Sequence, residues 1–164
     1  MNIVKADSTD VSVLAALADE IWHQHFKGII SDGQIEYMLE MFQCEKAMKE
    51  QFEHGYEYYL FEVDGEYQGY FAIQPKEDGT LFISKVYLRE SMRGRGYARR
   101  AFEVIENRAR DLGLTKTWLT VNIHNDVAIE VYKALGMHIA RTQVADIGNG
   151  YVMDDYIFEK DLES

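Results

Sequence analysis

Positions 93–98 read Arg-Gly-Arg-Gly-Tyr-Ala, and this stretch carries the sharpest chemical signal in the chain. It follows a β-prone run that ends at Leu88. It opens directly onto a helical stretch with Ala98, Ala101, Phe102, Ile105, Ala109 and Leu112 along one face. The first turn of a helix leaves about four backbone N–H groups without an intrahelical partner and carries a partial positive charge. Gly94 and Gly96 bring no side chain to hold an anion away from those donors. Arg93, Arg95, Arg99 and Arg100 place four of the 17 basic residues within eight positions. A phosphate or pyrophosphate is the ligand that suits such a turn. Two nucleotide-loop readings fail on context. No Gly-Lys-Ser/Thr follows at the spacing of a P-loop, and a dinucleotide fingerprint starting at Gly94 meets Arg99 where its third glycine belongs.

Other reactive side chains are more ambiguous when taken alone. Asn125 stands before Asp126 at the head of a short helical stretch, where capping accounts for it without any ligand. Tyr132 lies in that stretch and is one of 11 tyrosines, so a half-buried helix aromatic is its plain reading. His23 and His25 are two apart on a helix and do not share a face, which argues against a metal pair. A single cysteine, Cys44, excludes an internal disulfide and any multi-cysteine zinc site, and it fits a reducing compartment. No metal site is expected. Tyr56, Tyr58, Tyr59 and Phe61 could be taken for a base-stacking platform. Alternation puts Tyr59 and Phe61 on one face and Tyr58 on the other, as in an ordinary sheet core.

The elements that position these groups belong to one continuous domain, residues 1–164. Apolar residues make up 47 % and charged residues 27 %, the balance of a globular protein, and no linker, repeat or low-complexity tract interrupts them. The net charge of −11 repels phosphate backbones, so nucleic acid is not an expected partner. No basic region followed by an apolar stretch opens the chain. The longest purely apolar run, residues 13–18, is far shorter than the ~18 residues a membrane span requires. A soluble, cytoplasmic protein is expected.

Residues 2–6 read as a first strand. A helix capped by Ser8 or Asp10 follows, with Val11, Leu14, Leu17, Ala18, Ile21 and Trp22 at helical spacing. Ser31 or Asp32 caps a second helix carrying Ile35, Met38, Leu39 and Phe42, and a third runs over about 45–54. The period then changes. Strands at 56–63, 67–73 and 81–88 form an antiparallel meander with an Asp64-Gly65 hairpin turn. After the 98–112 helix come a strand at 117–123, a helix at 126–135, and strands at 138–145 and 151–160 around a Gly-Asn-Gly turn. The strand–helix–strand unit in the middle implies a parallel pair within a mixed sheet.

With these residues in view, the chain resembles the GNAT superfamily of acetyl-CoA-dependent N-acetyltransferases. Its pyrophosphate loop, Arg/Gln-x-x-Gly-x-Gly/Ala, is matched by Arg93, Gly94, Arg95, Gly96, Tyr97 and Ala98. Val86, Tyr87 and Leu88 stand where the family places a bulged strand that offers backbone groups to the pantetheine arm. A second motif is matched by Asn125, Ala128, Tyr132, Gly136 and Met137, the last in place of a usual Phe. Glu90 departs from the proline of many relatives, outside the phosphate contacts.

The resemblance implies an α/β (α+β) fold with a mixed, mostly antiparallel sheet of six or seven strands flanked by helices. It implies acetyl-CoA as cosubstrate, no metal, and Asn125 on the pantetheine arm. Lys133 and Arg99 or Arg100 are candidates for the 3′-phosphate, with solvated helix cations as their plainer reading, and Tyr132 is the general acid. Glu62, Glu66, Lys85, Ser84, His23, His25 and His124 stay open as a base or as acceptor-site lining. The helices around 27–30 and 34–39 are loosely similar to bacterial spermidine/spermine-type members. The expected acceptor is thus a small cationic amine such as a polyamine. A protein lysine or N-terminal amine, and a non-catalytic CoA-binding regulatory module, are the alternatives. Relatives are often homodimers, and the C-terminal strands offer a means of pairing.

Overall fold

The computed structural model describes residues 1–162, so the last two positions of the expected domain lie outside the described residues. Seven strands and five α-helices follow in chain order: β1 (Asn2–Lys5), α1 (Val11–His25), α2 (Asp32–Phe42), α3 (Glu45–Glu53), β2 (Glu57–Val63), β3 (Glu66–Pro75), β4 (Thr80–Leu88), α4 (Tyr97–Asp111), β5 (Lys116–Asn122), α5 (Asp126–Ala134), β6 (His138–Gly148) and β7 (Tyr151–Asp161). The strands are ordered β1-β2-β3-β4-β5-β7-β6 in one sheet, in which β1–β2, β2–β3, β5–β7 and β6–β7 pair antiparallel and β4–β5 pairs parallel. The element order, the Asp64-Gly65 turn and the parallel pair are as the sequence patterns predict. Strand and helix ends move by one to three residues.

The chain divides into two compact units, one of Met1–Gln74 with Lys85–Ala101, the other of Pro75–Ser84 with Phe102–Ser164. Both β4 and α4 run from one unit into the other.

In the first unit, α1 buries Val11, Leu14, Leu17, Ala18, Ile21 and Trp22, the stripe its sequence spacing lays down. A fully buried aliphatic side chain of this kind contributes about 2 kcal/mol. The start of α1 differs from expectation. Asp10 stands at the N-cap of α1 but makes no side-chain capping bond there; the capping bonds belong to Asp7, whose carboxylate accepts from the Thr9 amide (2.8 Å) while its own amide donates to the Asp10 carboxylate (3.0 Å). This box closes a short 3₁₀ turn, Ser8–Asp10, which takes up the capping before α1 begins. Ser31 caps α2 as expected, accepting from the Gln34 amide at 3.1 Å. Tyr58, Tyr59, Leu60 and Phe61 are all buried, so both faces of β2 are covered.

In the second unit, Phe102, Ile105 and Ala109 of α4, Leu119 and Val121 of β5, Ile129 of α5 and Phe158 of β7 are buried. β6 is an edge strand, exposed along most of its length. No helix among the described residues is long and apolar enough to cross a membrane.

Candidate functional site

The first unit carries the end of β4, the glycine turn and the start of α4. β4 stops at Leu88, and a 3₁₀ turn, Glu90–Met92, leads to an extended Arg93 whose amide donates to the Glu90 carbonyl at 3.2 Å. Gly94 and Gly96 both adopt left-handed backbone, at φ +77° and +78°. An added Cβ at either position would meet nothing within 4 Å. These glycines are therefore required by backbone conformation, and the space above them is open. The Gly96 carbonyl accepts from the Arg100 amide at 3.2 Å, the first i→i−4 bond of α4. That bond puts the first-turn amides of α4 directly after the open turn. Arg95 and Arg99 are exposed. Arg100 donates to the Met1 carbonyl at 2.8 Å.

His25, unresolved by sequence between surface and site, links the strand end to the turn. Its Nδ1 accepts from the Arg93 guanidinium at 2.8 Å, and its ring meets Tyr87 edge-on with centroids 5.8 Å apart. Burial first, and the Arg93 charge second, lower its pKa to about 4, so the imidazole is neutral at physiological pH and accepts from Arg93. His23 points elsewhere. It is exposed and bridges the Asp19 carbonyl (2.5 Å) to Glu36 of α2, and the Asp19 carbonyl and then Glu36 raise its pKa. Glu66 sits beside the hairpin turn, opposite Val63, and accepts from Gln68. An open pocket of about 450 Å³ lies next to the turn, lined by Glu20, Gln24, Arg89, Glu90 and Ser91, with Glu20 paired to Arg89.

Lys85 on β4 is buried, with 6 % exposure. Its Nζ donates to Gln51 Oε1 (2.5 Å) and to the Tyr58 hydroxyl, which itself donates to Gln51 Oε1. Burial lowers the Lys85 pKa to about 7. Gly69 on β3 explains how β4 is held. A Cβ there would lie 2.2 Å from the Tyr87 carbonyl oxygen and 2.9 Å from Leu88 Cα.

The second unit carries the end of β5 and α5. β5 stops at Asn122, whose side-chain oxygen accepts from the His124 amide at 2.9 Å and whose carbonyl accepts from the Asn125 amide at 3.0 Å. His124 is exposed, whereas Asn125 is buried and caps α5, its side chain accepting from the Ala128 amide at 3.3 Å. Tyr132 lies between Phe102 and Phe158, with ring centroids at 5.9 and 6.0 Å. Burial pushes its phenol up to about 12, so it keeps its proton at pH 7. Lys133 pairs with Glu130 at 3.9 Å.

Asp155 on β7, opposite Asn122, is a buried carboxylate that sequence inspection did not single out. Its signal lay in the alternation of Met153, Asp155 and Ile157, where a carboxylate takes a core phase between two apolar residues. Among the described residues no three His, Cys, Asp or Glu side chains gather to hold a metal ion.

Comparison with known proteins gives the family and the fold. The profile described as the acetyltransferase (GNAT) family matches residues 14–137. An uncharacterized N-acetyltransferase of the pepI 3′ region of Lactobacillus delbrueckii subsp. lactis is 25 % identical over 170 residues, covering 99 % of this chain and 98 % of that protein. Among solved structures, the PaiA N-acetyltransferase of Thermoplasma acidophilum, in complex with coenzyme A, superposes with a TM-score of 0.79 at 18 % identity, over 98 % of both chains. YncA of Salmonella typhimurium, described as a putative acetyltransferase with its cofactor acetyl-CoA, gives 0.68 at 17 % identity, over 100 % of this chain and 95 % of that one.

Proposed function

The chain belongs to the GNAT acetyltransferase family and is an acetyl-CoA-dependent acyltransferase; from that premise we propose that it acetylates a primary amine of a small cationic acceptor, a polyamine being the best fit. The observation that carries the reading is the turn at 93–98. Two left-handed glycines leave the space before the first turn of α4 open. The diphosphate of the cosubstrate binds there, on the amides of Gly94, Arg95, Gly96, Tyr97 and Ala98, with Arg93 alongside. The backbone of Val86, Tyr87 and Leu88 receives the pantetheine arm, and Asn125 adds a contact beyond its capping bond. The coenzyme A and acetyl-CoA complexes of the two structural relatives support this part of the reading.

The chemistry is direct attack. An alkylamine with a pKa of ~10.4 is only about 0.04 % neutral at pH 7, so the site has to relieve the acceptor of a proton before the nitrogen can reach the thioester carbonyl. Oxyanion charge develops on that carbonyl and is met by main-chain N–H groups of the β4 end. Tyr132 acts as general acid toward the departing sulfur. Its protonated phenol supports the role. Full proton transfer from a phenol at about 12 to a thiolate of ordinary thiol basicity, ~8.5, is uphill, so most of the benefit comes from a hydrogen bond that tightens as charge reaches the sulfur.

The net charge of −11 supports a cationic acceptor. A free Cys44 fits a cytoplasmic setting, and exposed Ile139 and Val144 on edge strand β6 support pairing of two chains through their C-terminal strands. The test is thiol release from acetyl-CoA against a panel of polyamines, aminoglycosides, amino acids and peptides. Turnover highest with polyamines is expected. Turnover restricted to peptides selects a protein acceptor, and tight acetyl-CoA binding with no turnover selects a regulatory module.

A further inference from the structure

The proposed reaction leaves one role unfilled, the group that takes the proton from the acceptor ammonium. We propose that Asp155 fills it, its carboxylate receiving the cationic end of the acceptor and accepting the proton that the amine loses. This rests on the acetyl-transfer reading above.

Asp155 has 6 % exposure, and its Oδ1 is buried without a hydrogen-bond partner. A buried carboxylate oxygen left unpaired costs on the order of 1–3 kcal/mol, more if charged, so its retention calls for a ligand that pairs with it. A cation that donates hydrogen bonds is the complement, and an alkylammonium is one. The position is also apt. Asp155 is the register partner of Asn122, the last residue of β5, and the Asn122 carbonyl holds the Asn125 amide. The carboxylate therefore lies at the strand end that leads into the proposed pantetheine contact.

Along β7, Phe158 shares a face with the Tyr132 ring. Asp155 is three residues away and so faces the opposite side of the β5–β7 ladder. Asp155 and Tyr132 thus stand on different faces of this ladder, so proton removal and proton donation fall to separate groups.

The surroundings tune the group to the task. Asn122 faces it from β5 and Gln143 from β6, both uncharged. Asp154 is its neighbour on β7, and further along the same strand Glu159 is paired with Lys116 and Arg141. Burial first, and Asp154 second, raise its pKa to about 6. It is thus ionised at pH 7 yet a far better base than an ordinary aspartate. The protons balance. One ammonium proton passes to Asp155 and on to solvent, and the freed lone pair forms the C–N bond. Collapse of the tetrahedral centre then breaks C–S, the departing sulfur taking up its charge against the Tyr132 hydrogen bond. The proton shed by the new amide nitrogen reaches the thiolate through solvent, and Tyr132 keeps its own.

The test pairs kinetics with direct titration, using spermidine. The wild type is expected to show an acidic limb near pH 6; Asp155→Asn is expected to lower kcat/KM by about 100-fold, to lose that limb and to bind acetyl-CoA normally, and Asp155→Glu to restore part of the rate. In the wild-type protein, carbon NMR of the Asp155 carboxyl is expected to show its titration midpoint fall when spermidine is added, whatever the folding of the variants. An Asn variant within threefold of wild type that keeps the acidic limb overturns the proposal, as does a carboxyl midpoint that ignores spermidine. If the wild type releases no thiol with any amine, the acetyl-transfer reading falls, and the spermidine titration alone then decides whether Asp155 holds a cation.

Discussion

Gly69→Ala isolates how β3 positions the end of β4. Gly69 does not adopt left-handed backbone, so alanine is acceptable on conformational grounds and only space opposes it. The added methyl would sit 2.2 Å from the Tyr87 carbonyl oxygen, 2.9 Å from Leu88 Cα and 3.1 Å from the Tyr87 carbonyl carbon. All three are backbone atoms, so no side chain can swing aside. To reach ordinary contact the Tyr87 carbonyl has to retreat by about 1 Å inside a paired sheet. Overpacking of this sort costs 1–3 kcal/mol, and a backbone clash belongs at the upper end, about 3 kcal/mol. For a chain of this size each kcal/mol lowers Tm by roughly 2–4 °C, so a fall of about 6–12 °C is expected.

The same displacement moves the groups proposed to hold the pantetheine arm, and the calorimetric Kd for acetyl-CoA should rise about tenfold, equivalent to about 1.4 kcal/mol. Gly79→Ala is the control. Its Cβ has open space, but its φ of +85° imposes strain, so a loss of about 1–2 kcal/mol with unchanged acetyl-CoA affinity is expected. A Gly69→Ala protein that melts within 2 °C of wild type and binds acetyl-CoA equally well would refute the close-approach argument.

Tyr132→Phe should lower kcat by about 100-fold while acetyl-CoA affinity stays within threefold, measured by thiol release and calorimetry; wild-type turnover with an unchanged pH profile places the acid elsewhere. Lys85→Met should raise Tm at pH 7, since Tyr58 and Gln51 remain paired with each other. With a folded pKa of about 7 against ~10.4 unfolded, the unfolded wild type binds more protons between those values. Its stability therefore rises by about 2 kcal/mol from pH 7 to 9 relative to the variant. Parallel melting curves for the two proteins across that range contradict the buried-amine account. For a polyamine acceptor, kcat/KM should fall several-fold as salt is raised from 20 to about 200 mM, through screening of the acidic protein field; a flat response removes charge steering.

Where local chemistry dictates conformation, the sequence was readable. The spacing of Val11, Leu14, Leu17, Ala18, Ile21 and Trp22 lays down a buried stripe, and that stripe is buried. Asp64-Gly65 reads as a hairpin turn, and both residues adopt the positive φ such a turn demands. Gly94 and Gly96 read as an open turn before a helix, and their backbone is left-handed with free space above. What depends on contacts between distant segments was not readable. Nothing in His25 or Arg93 alone shows that one accepts from the other across 68 positions. Lys85 on a strand reads as a solvated cation until α3 and β2 supply Gln51 and Tyr58. Asp155 sits beside Asp154 among 28 acidic residues; alternation with Met153 and Ile157 gives it a core phase, but its burial is completed by the β5–β7 pairing, which the alternation does not supply. Asp10 is the N-cap of α1, but its carboxylate is turned back to the Asp7 amide by a 3₁₀ turn too short to leave a periodic trace.

The claim on which the rest depends is that the 93–98 turn grips the diphosphate of the cosubstrate through main-chain amides. Its most direct test is a crystal structure of the coenzyme A complex. Diphosphate oxygens within about 2.7–3.2 Å of the backbone nitrogens of Gly94, Gly96 and Ala98 are the predicted result. A complex in which coenzyme A is ordered but that turn is empty, with the diphosphate held elsewhere, contradicts the account.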